Sequence, residues 1–95
     1  MIEVTVGDLL VLDVRSQQEW QRNHLSRAVW TEWHDVGVII GTLVSSLEHP
    51  IMMYCCTGYR SGKAQEILEY MGYSKVVNGG SLAQAMQLIE DRCAT

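Results

Sequence analysis

Residues 51–61 read Ile51-Met52-Met53-Tyr54-Cys55-Cys56-Thr57-Gly58-Tyr59-Arg60-Ser61, and the order of residue types in this stretch decides the fold. Pro50 bars a helix from running into it, and the short apolar run Ile51–Tyr54 has the pattern of a strand buried on both faces. From Ser61 the spacing changes. Ala64, Ile67, Leu68 and Met71 recur at helical intervals, with Gly72 where a helix would close. A strand therefore passes into a helix through Cys55, Cys56, Thr57, Gly58, Tyr59 and Arg60.

A cysteine leaving a buried strand and facing a helix start meets aligned N–H groups and the positive end of that helix, which favour thiolate over thiol. Gly58 opens backbone conformations closed to other residues, so successive N–H groups can converge on one point. Arg60 adds a fixed positive charge, and Ser61 is placed to cap the helix. The stretch describes an anion cradle with Cys55 in its floor. The blander alternative, a core strand ending in cysteines followed by an ordinary turn, explains each part but not their order. Whether Arg60 faces the cradle or solvent stays open at this level.

The same alternation extends outward. Leu9 to Val14 is another continuous apolar run, ended by Asp13 and Arg15, and Ser16 with Glu19 three positions later forms a capping box for a helix from Gln17 to about Arg22. Val29 and Trp30 read as a short strand. Val36, Ile39, Ile40, Leu43, Val44 and Leu47 form an apolar stripe that predicts a helix over 36–47. A third short strand is expected at Lys75–Val77 and a last helix at Leu82–Ile89. Strands alternating with helices predict an α/β fold: one domain over residues 1–95, with a central parallel sheet of four or five strands and helices on both faces. In such sheets ligands bind beyond the C-terminal strand ends, where the Cys55 loop falls.

A chain of 95 residues supports a single thin core, and 47% hydrophobic against 19% charged residues excludes a charge-rich disordered segment. A net charge of −4 without a basic stripe argues against nucleic acid or an anionic bilayer as partner, and no apolar run is long enough to span a membrane. Three cysteines, two of them adjacent, do not make a disulfide scaffold. His24, His34 and His49 lack metal-ligand spacing, so no metal is expected; His24 reads as a satisfied structural histidine. Trp20, Trp30 and Trp33 read as core or rim aromatics, and Cys93 as a bystander thiol. Residues 1–8 carry no export signal, so a cytoplasmic location is expected for the chain as written, and a periplasmic one if a signal peptide has been removed. A monomer is expected.

The motif Cys55-x-x-Gly58-x-Arg60-Ser61, followed by Ala64, Leu68, Gly72-Tyr73, Val76, Asn78 and Gly79-Gly80, resembles the second half of a rhodanese domain, nearest to small single-domain sulfurtransferases of the bacterial phage-shock type. Leu12-Asp13-Val14-Arg15, Glu19-Trp20 and His24-Leu25-x-x-Ala28 resemble segments of its first half. The chain departs from the family pattern at Asn23, where glycine is usual, and at Ser26-Arg27, where Pro-Gly is usual. The resemblance implies that Cys55 carries sulfur, that amides of Cys56 to Arg60 surround its persulfide, and that Asp13 and Arg15 form a supporting structural pair.

It also implies a sulfurtransferase that takes sulfane sulfur from thiosulfate or a similar donor and passes it to cyanide or a small or protein thiol, with no cofactor. Cys56 is the rival nucleophile, but it sits one residue too close to Arg60, and the strand pleat turns it away from Cys55, so loop wall or core is the better reading. Two other functions remain as alternatives. A cysteine-dependent phosphatase would want Cys, five residues and Arg, and that count from Cys55 lands on Ser61. A noncatalytic binding module or persulfide carrier is the other.

Overall fold

The structure is a computed structural model and describes residues 8–93, with side chains through Glu90. The elements run β1 (Leu10–Asp13), α1 (Gln17–Arg22), β2 (Val29–Trp30), a single 3-10 turn (Trp33–Asp35), α2 (Val36–Leu43), β3 (Ile51–Cys55), α3 (Tyr59–Tyr70), β4 (Val76–Ser81) and α4 (Leu82–Cys93). The four strands form one sheet in the order β2-β1-β3-β4, with every pairing parallel. The expected α/β class is found, with four strands among the described residues.

Alternation along the central strands sorts the core into two layers. Leu12 and Val14 from the first strand segment and Ile51, Met53 and Cys55 from β3 face Val36, Ile40, Ala64 and Leu68 of α2 and α3. On the other side Val11, Met52 and Tyr54 pack with Leu9, Leu25 and Ala85. Cys55 therefore points to the side covered by α3. Burial of β3 is complete from Ile51 to Cys55, as its unbroken apolar run requires.

Strand order fixes where a site can form. The chain leaves β1 for β2 on one side and then crosses back to β3 on the other, so the connections after β1 and β3 diverge. In sheets of this kind ligands bind where such connections diverge, which here is at the C-terminal ends of β1 and β3. Asp13 pairs with Tyr54 in the register of these strands, which places Asp13, Arg15 and the Cys55 loop at the same end of the sheet.

Four elements depart from the expectations above; one is α4, which runs on to Cys93 instead of ending at Ile89. Helix α2 stops at Leu43 instead of reaching Leu47, because Val44 turns extended and buries its side chain, while the Leu47 carbonyl accepts the Ser74 amide at 2.9 Å. Strand β4 runs to Ser81, well past Val77; it continues beside β3 through an irregularity in register between Met53 and Cys55. Helix α3 begins at Tyr59, two residues before Ser61, with Gly58 as its N-cap. Other local signals are realised as read: the Ser16–Glu19 capping box is present in both directions, and Gly72 follows the end of α3 at φ 104°. No helix among the described residues is long and apolar enough to cross a membrane.

Candidate active site

Cys55 is the last residue of β3 and is 1% exposed. Its Sγ accepts the Gly58 N–H at 3.0 Å and lies 3.6 Å from Ser61 Oγ. Burial pushes the thiol pKa up, but hydrogen bonds from the backbone and hydroxyl of Ser61 and from the amides of Thr57 and Gly58 outweigh it, leaving Cys55 below the ordinary cysteine value. The first turn of α3 thus supplies donors aimed at sulfur. Such a turn is possible because Gly58 sits at φ 92°, a left-handed conformation that side-chain-bearing residues rarely adopt.

Ser61 does not cap α3 as expected. It lies inside the first turn, fully buried, with its hydroxyl donating to Asn78 Oδ1 at 2.6 Å, the Gly58 carbonyl a second acceptor within reach at 3.2 Å and the Cys55 sulfur 3.6 Å away. The helix can start earlier because Gly58 turns the chain through its backbone alone, with no side-chain cap. Thr57 Oγ1 instead accepts the Tyr59 amide at 3.4 Å. Tyr59 is exposed on the rim, with Lys63 Nζ 5.4 Å from the centre of its ring.

Asn78, which the sequence reading included only as part of a motif, acts as a clamp. Its Nδ2 donates to the Gly58 carbonyl at 2.9 Å, while its Oδ1 accepts from Ser61 Oγ and from the Gly80 amide at 2.9 Å. One side chain on β4 thereby ties down both the turn at Gly58 and the hydroxyl beside the thiol. The only sequence signal for this was its place before Gly79-Gly80.

Arg60 turns to the rim and is engaged by Glu19. Nη1 and Nη2 donate to Oε1 and Oε2 at 2.7 and 3.0 Å, a bidentate pair that joins α1 to α3. The exposed Cys56 donates its thiol proton to Glu19 Oε2 at 2.6 Å. Cys56 is therefore loop wall and not core. The Glu19 carboxyl is held well below the usual carboxylate range by Arg60 first and then by Cys56 and Ser16, against the opposing effect of burial. Glu19 in turn raises the Cys56 thiol and, with smaller contributions from the charges of Cys56 and Cys55, the Arg60 guanidinium. The neighbouring thiols are thus driven in opposite directions, Cys55 by N–H and hydroxyl donors and Cys56 by a carboxylate. The capping box foretold the position of Glu19 but not this second use of its oxygens.

Asp13 and Arg15 form a buried ion pair, with Nη2 to Oδ2 at 2.7 Å and further bonds to Oδ1 from the Arg15 amide and Nε. Arg15 also donates to the Asn23 carbonyl, and its guanidinium lies 5.5 Å from the centre of the Tyr54 ring. Trp30 Nε1 holds the Arg15 carbonyl at 2.9 Å. Tyr54, whose phenol is pushed up to about 12 chiefly by burial, accepts the Leu25 amide at 3.1 Å through its hydroxyl. These contacts fix the path of residues 23–25, where Asn23 takes an extended conformation open to any residue. His24 stacks on Trp20 at 3.4 Å and is bonded to the Trp20 carbonyl through Nδ1. The Cys93 side chain lies outside the described residues.

Comparison with known proteins agrees with this geometry. Residues 3–83 match the family described as Rhodanese-like domain. The chain is similar to the thiosulfate sulfurtransferase PspE of Escherichia coli (strain K12), with 37% identity over 71 residues that cover 75% of this chain and 68% of that protein. It is also similar to the tRNA uridine(34) hydroxylase of Chlamydia trachomatis serovar L2, with 30% identity over 87 residues, covering 83% of this chain but only 27% of that longer protein. Among solved structures, a rhodanese with anions from E. coli superposes with a TM-score of 0.76 at 34% identity, covering 80% of this chain and 89% of that one. Since the match runs through β1, the Cys55 loop and β4 into the start of α4, the chain belongs to the rhodanese-like domain family.

Proposed function

We propose that the protein is a sulfurtransferase that moves sulfane sulfur from thiosulfate or a similar small donor to cyanide or a thiol, through a persulfide on Cys55. The observation that carries this reading is the Cys55 sulfur itself, held at a strand end by the Gly58 N–H at 3.0 Å with the Ser61 hydroxyl beside it. Similarity to a thiosulfate sulfurtransferase supports it.

In the first half-reaction the Cys55 thiolate attacks the outer sulfur of thiosulfate. The donor S–S bond breaks, sulfite leaves with the electron pair, and an anionic persulfide remains on Cys55. In the second, cyanide or a thiolate attacks the outer persulfide sulfur, and the Cys55 thiolate departs in its starting state. Splitting the transfer in two replaces one difficult collision by two displacements at sulfur, and the electrons balance within each step. The amides of Thr57, Gly58 and Ser61 stabilise the thiolate before attack and when it is released. The phosphatase alternative loses its main group, because the Arg60 guanidinium is taken by Glu19 and is not held free for a phosphate.

The test is sulfur loading. Reduced protein incubated with thiosulfate and freed of excess donor should gain one sulfur in its intact mass, on the peptide containing Cys55, and cyanide should release it as thiocyanate. Cys55→Ser should gain none, since an alcohol is a weak nucleophile and forms no persulfide. Sulfur found on Cys56 instead, or hydrolysis of an aryl phosphate without sulfur loading, would overturn the proposal.

A further inference from the structure

The rim of the Cys55 loop carries a carboxylate whose contacts exceed what a helix cap needs. Glu19 Oε1 accepts from the Ser16 amide at 3.1 Å, Ser16 Oγ at 3.0 Å and Arg60 Nη1 at 2.7 Å, and Oε2 accepts from Arg60 Nη2 at 3.0 Å and from the Cys56 thiol at 2.6 Å. Both oxygens are fully engaged, so the negative charge is fixed against the guanidinium. Arg60 is only partly exposed, at 29%, and its bidentate geometry leaves little freedom to swing toward a second anion. Lys63, one turn along α3, lies over the exposed Tyr59 ring.

Anion capture next to Cys55 therefore falls to backbone N–H groups. These carry partial charges in fixed directions and distinguish a dianion from a monoanion far less sharply than a free guanidinium does. We propose that Glu19 is a specificity-determining residue of the Cys55 site: by neutralising Arg60 on the loop rim, it turns donor choice away from doubly charged and toward singly charged sulfane-sulfur compounds, such as thiosulfonates. The inference rests on the Cys55 persulfide reading. With a thiosulfonate the chemistry is the same displacement: the thiolate takes the terminal sulfur, the S–S bond breaks, and a sulfinate leaves with the electron pair.

The experiment compares kcat/KM for thiosulfate and for benzenethiosulfonate, and the ratio of the two is the readout. A general loosening of the loop would lower both constants and leave the ratio in place. Glu19→Gln keeps the capping box, since glutamine serves it too, and removes the charge. One unit of charge near a solvated protein surface corresponds to about a fivefold change between a dianion and a monoanion. Glu19→Gln should therefore raise the thiosulfate-to-thiosulfonate ratio by about fivefold, Arg60→Gln should lower it by a similar factor, and the doubly substituted protein should return near the original ratio.

Added salt gives an independent check on the unaltered protein. Its thiosulfate constant should depend weakly on ionic strength, and that of Glu19→Gln strongly. A ratio that stays the same in all three variants, or a steep salt dependence in the unaltered protein, would overturn the inference while leaving the persulfide reading standing. If the unaltered protein takes sulfur from neither donor, the persulfide reading itself fails and the inference falls with it.

Discussion

Replacing Asn78 by alanine removes three hydrogen bonds from the support of the Cys55 loop: to the Gly58 carbonyl, from Ser61 Oγ and from the Gly80 amide. The cost is moderated by what remains. Ser61 Oγ keeps the Gly58 carbonyl as an acceptor at 3.2 Å, and that carbonyl still receives the Gly62 amide at 2.9 Å, so neither buried group is orphaned. Asn78 is itself exposed, and water can replace part of what is lost. At about 1 kcal/mol per bond, discounted for solvent, Asn78→Ala should cost about 1–3 kcal/mol of stability. With a urea slope of about 1 kcal/mol per molar for a protein of this size, the unfolding midpoint should fall by about 1–3 M at unchanged slope. A double-mutant cycle with Ser61→Ala sharpens the test. Because the two side chains share a proton at 2.6 Å, Ser61→Ala should cost less in the Asn78→Ala background than in the original protein. Strict additivity, or a midpoint unchanged by Asn78→Ala, would refute the clamp.

Alkylation followed peptide by peptide against pH should give a lower midpoint for Cys55 than for Cys56, since donors surround the first thiol and a carboxylate faces the second; the reverse order would contradict this assignment. Arg15→Met should destabilise the fold by about 3–5 kcal/mol in urea unfolding, because it leaves the Asp13 carboxylate buried without its counter-ion. Glu19 has a folded-state pKa below its ordinary 4.5, chiefly through Arg60, so its stabilisation is present above that ordinary value and is lost as pH falls toward the folded one. Unfolding curves taken from neutral pH down to about pH 3 should therefore show stability declining below about pH 4.5, and Glu19→Gln should flatten that decline.

Features whose cause is local are legible in the order of the amino acids. The apolar runs Leu9–Leu12 and Ile51–Tyr54 read as buried strands because no polar residue interrupts them, and the sheet buries all of β3 and all of β1 but Leu10. Ser16 with Glu19 announced α1, Gly72 announced the end of α3, and Cys55 before Gly58 announced a sulfur facing a turn of N–H groups. Each signal lies within a few residues of its effect. Local rules misplaced the start of α3, where Ser61 looked like a cap, because a backbone turn at Gly58 does that work and frees the hydroxyl for Cys55 and Asn78.

What the rim residues do follows from contacts between distant segments. Glu19 and Arg60 are 41 positions apart, and they meet because β1 and β3 are neighbours in a parallel sheet, which brings the helices that follow each strand to the same end. Asn78 reaches Gly58 and Ser61 because β4 pairs with β3 and continues past Val77 alongside the loop. Spacing left open whether Arg60 faces the cradle or solvent, because its orientation is set by a carboxylate on another helix. Contacts between distant segments depend on strand order and crossover path, and those are settled by how the whole chain packs.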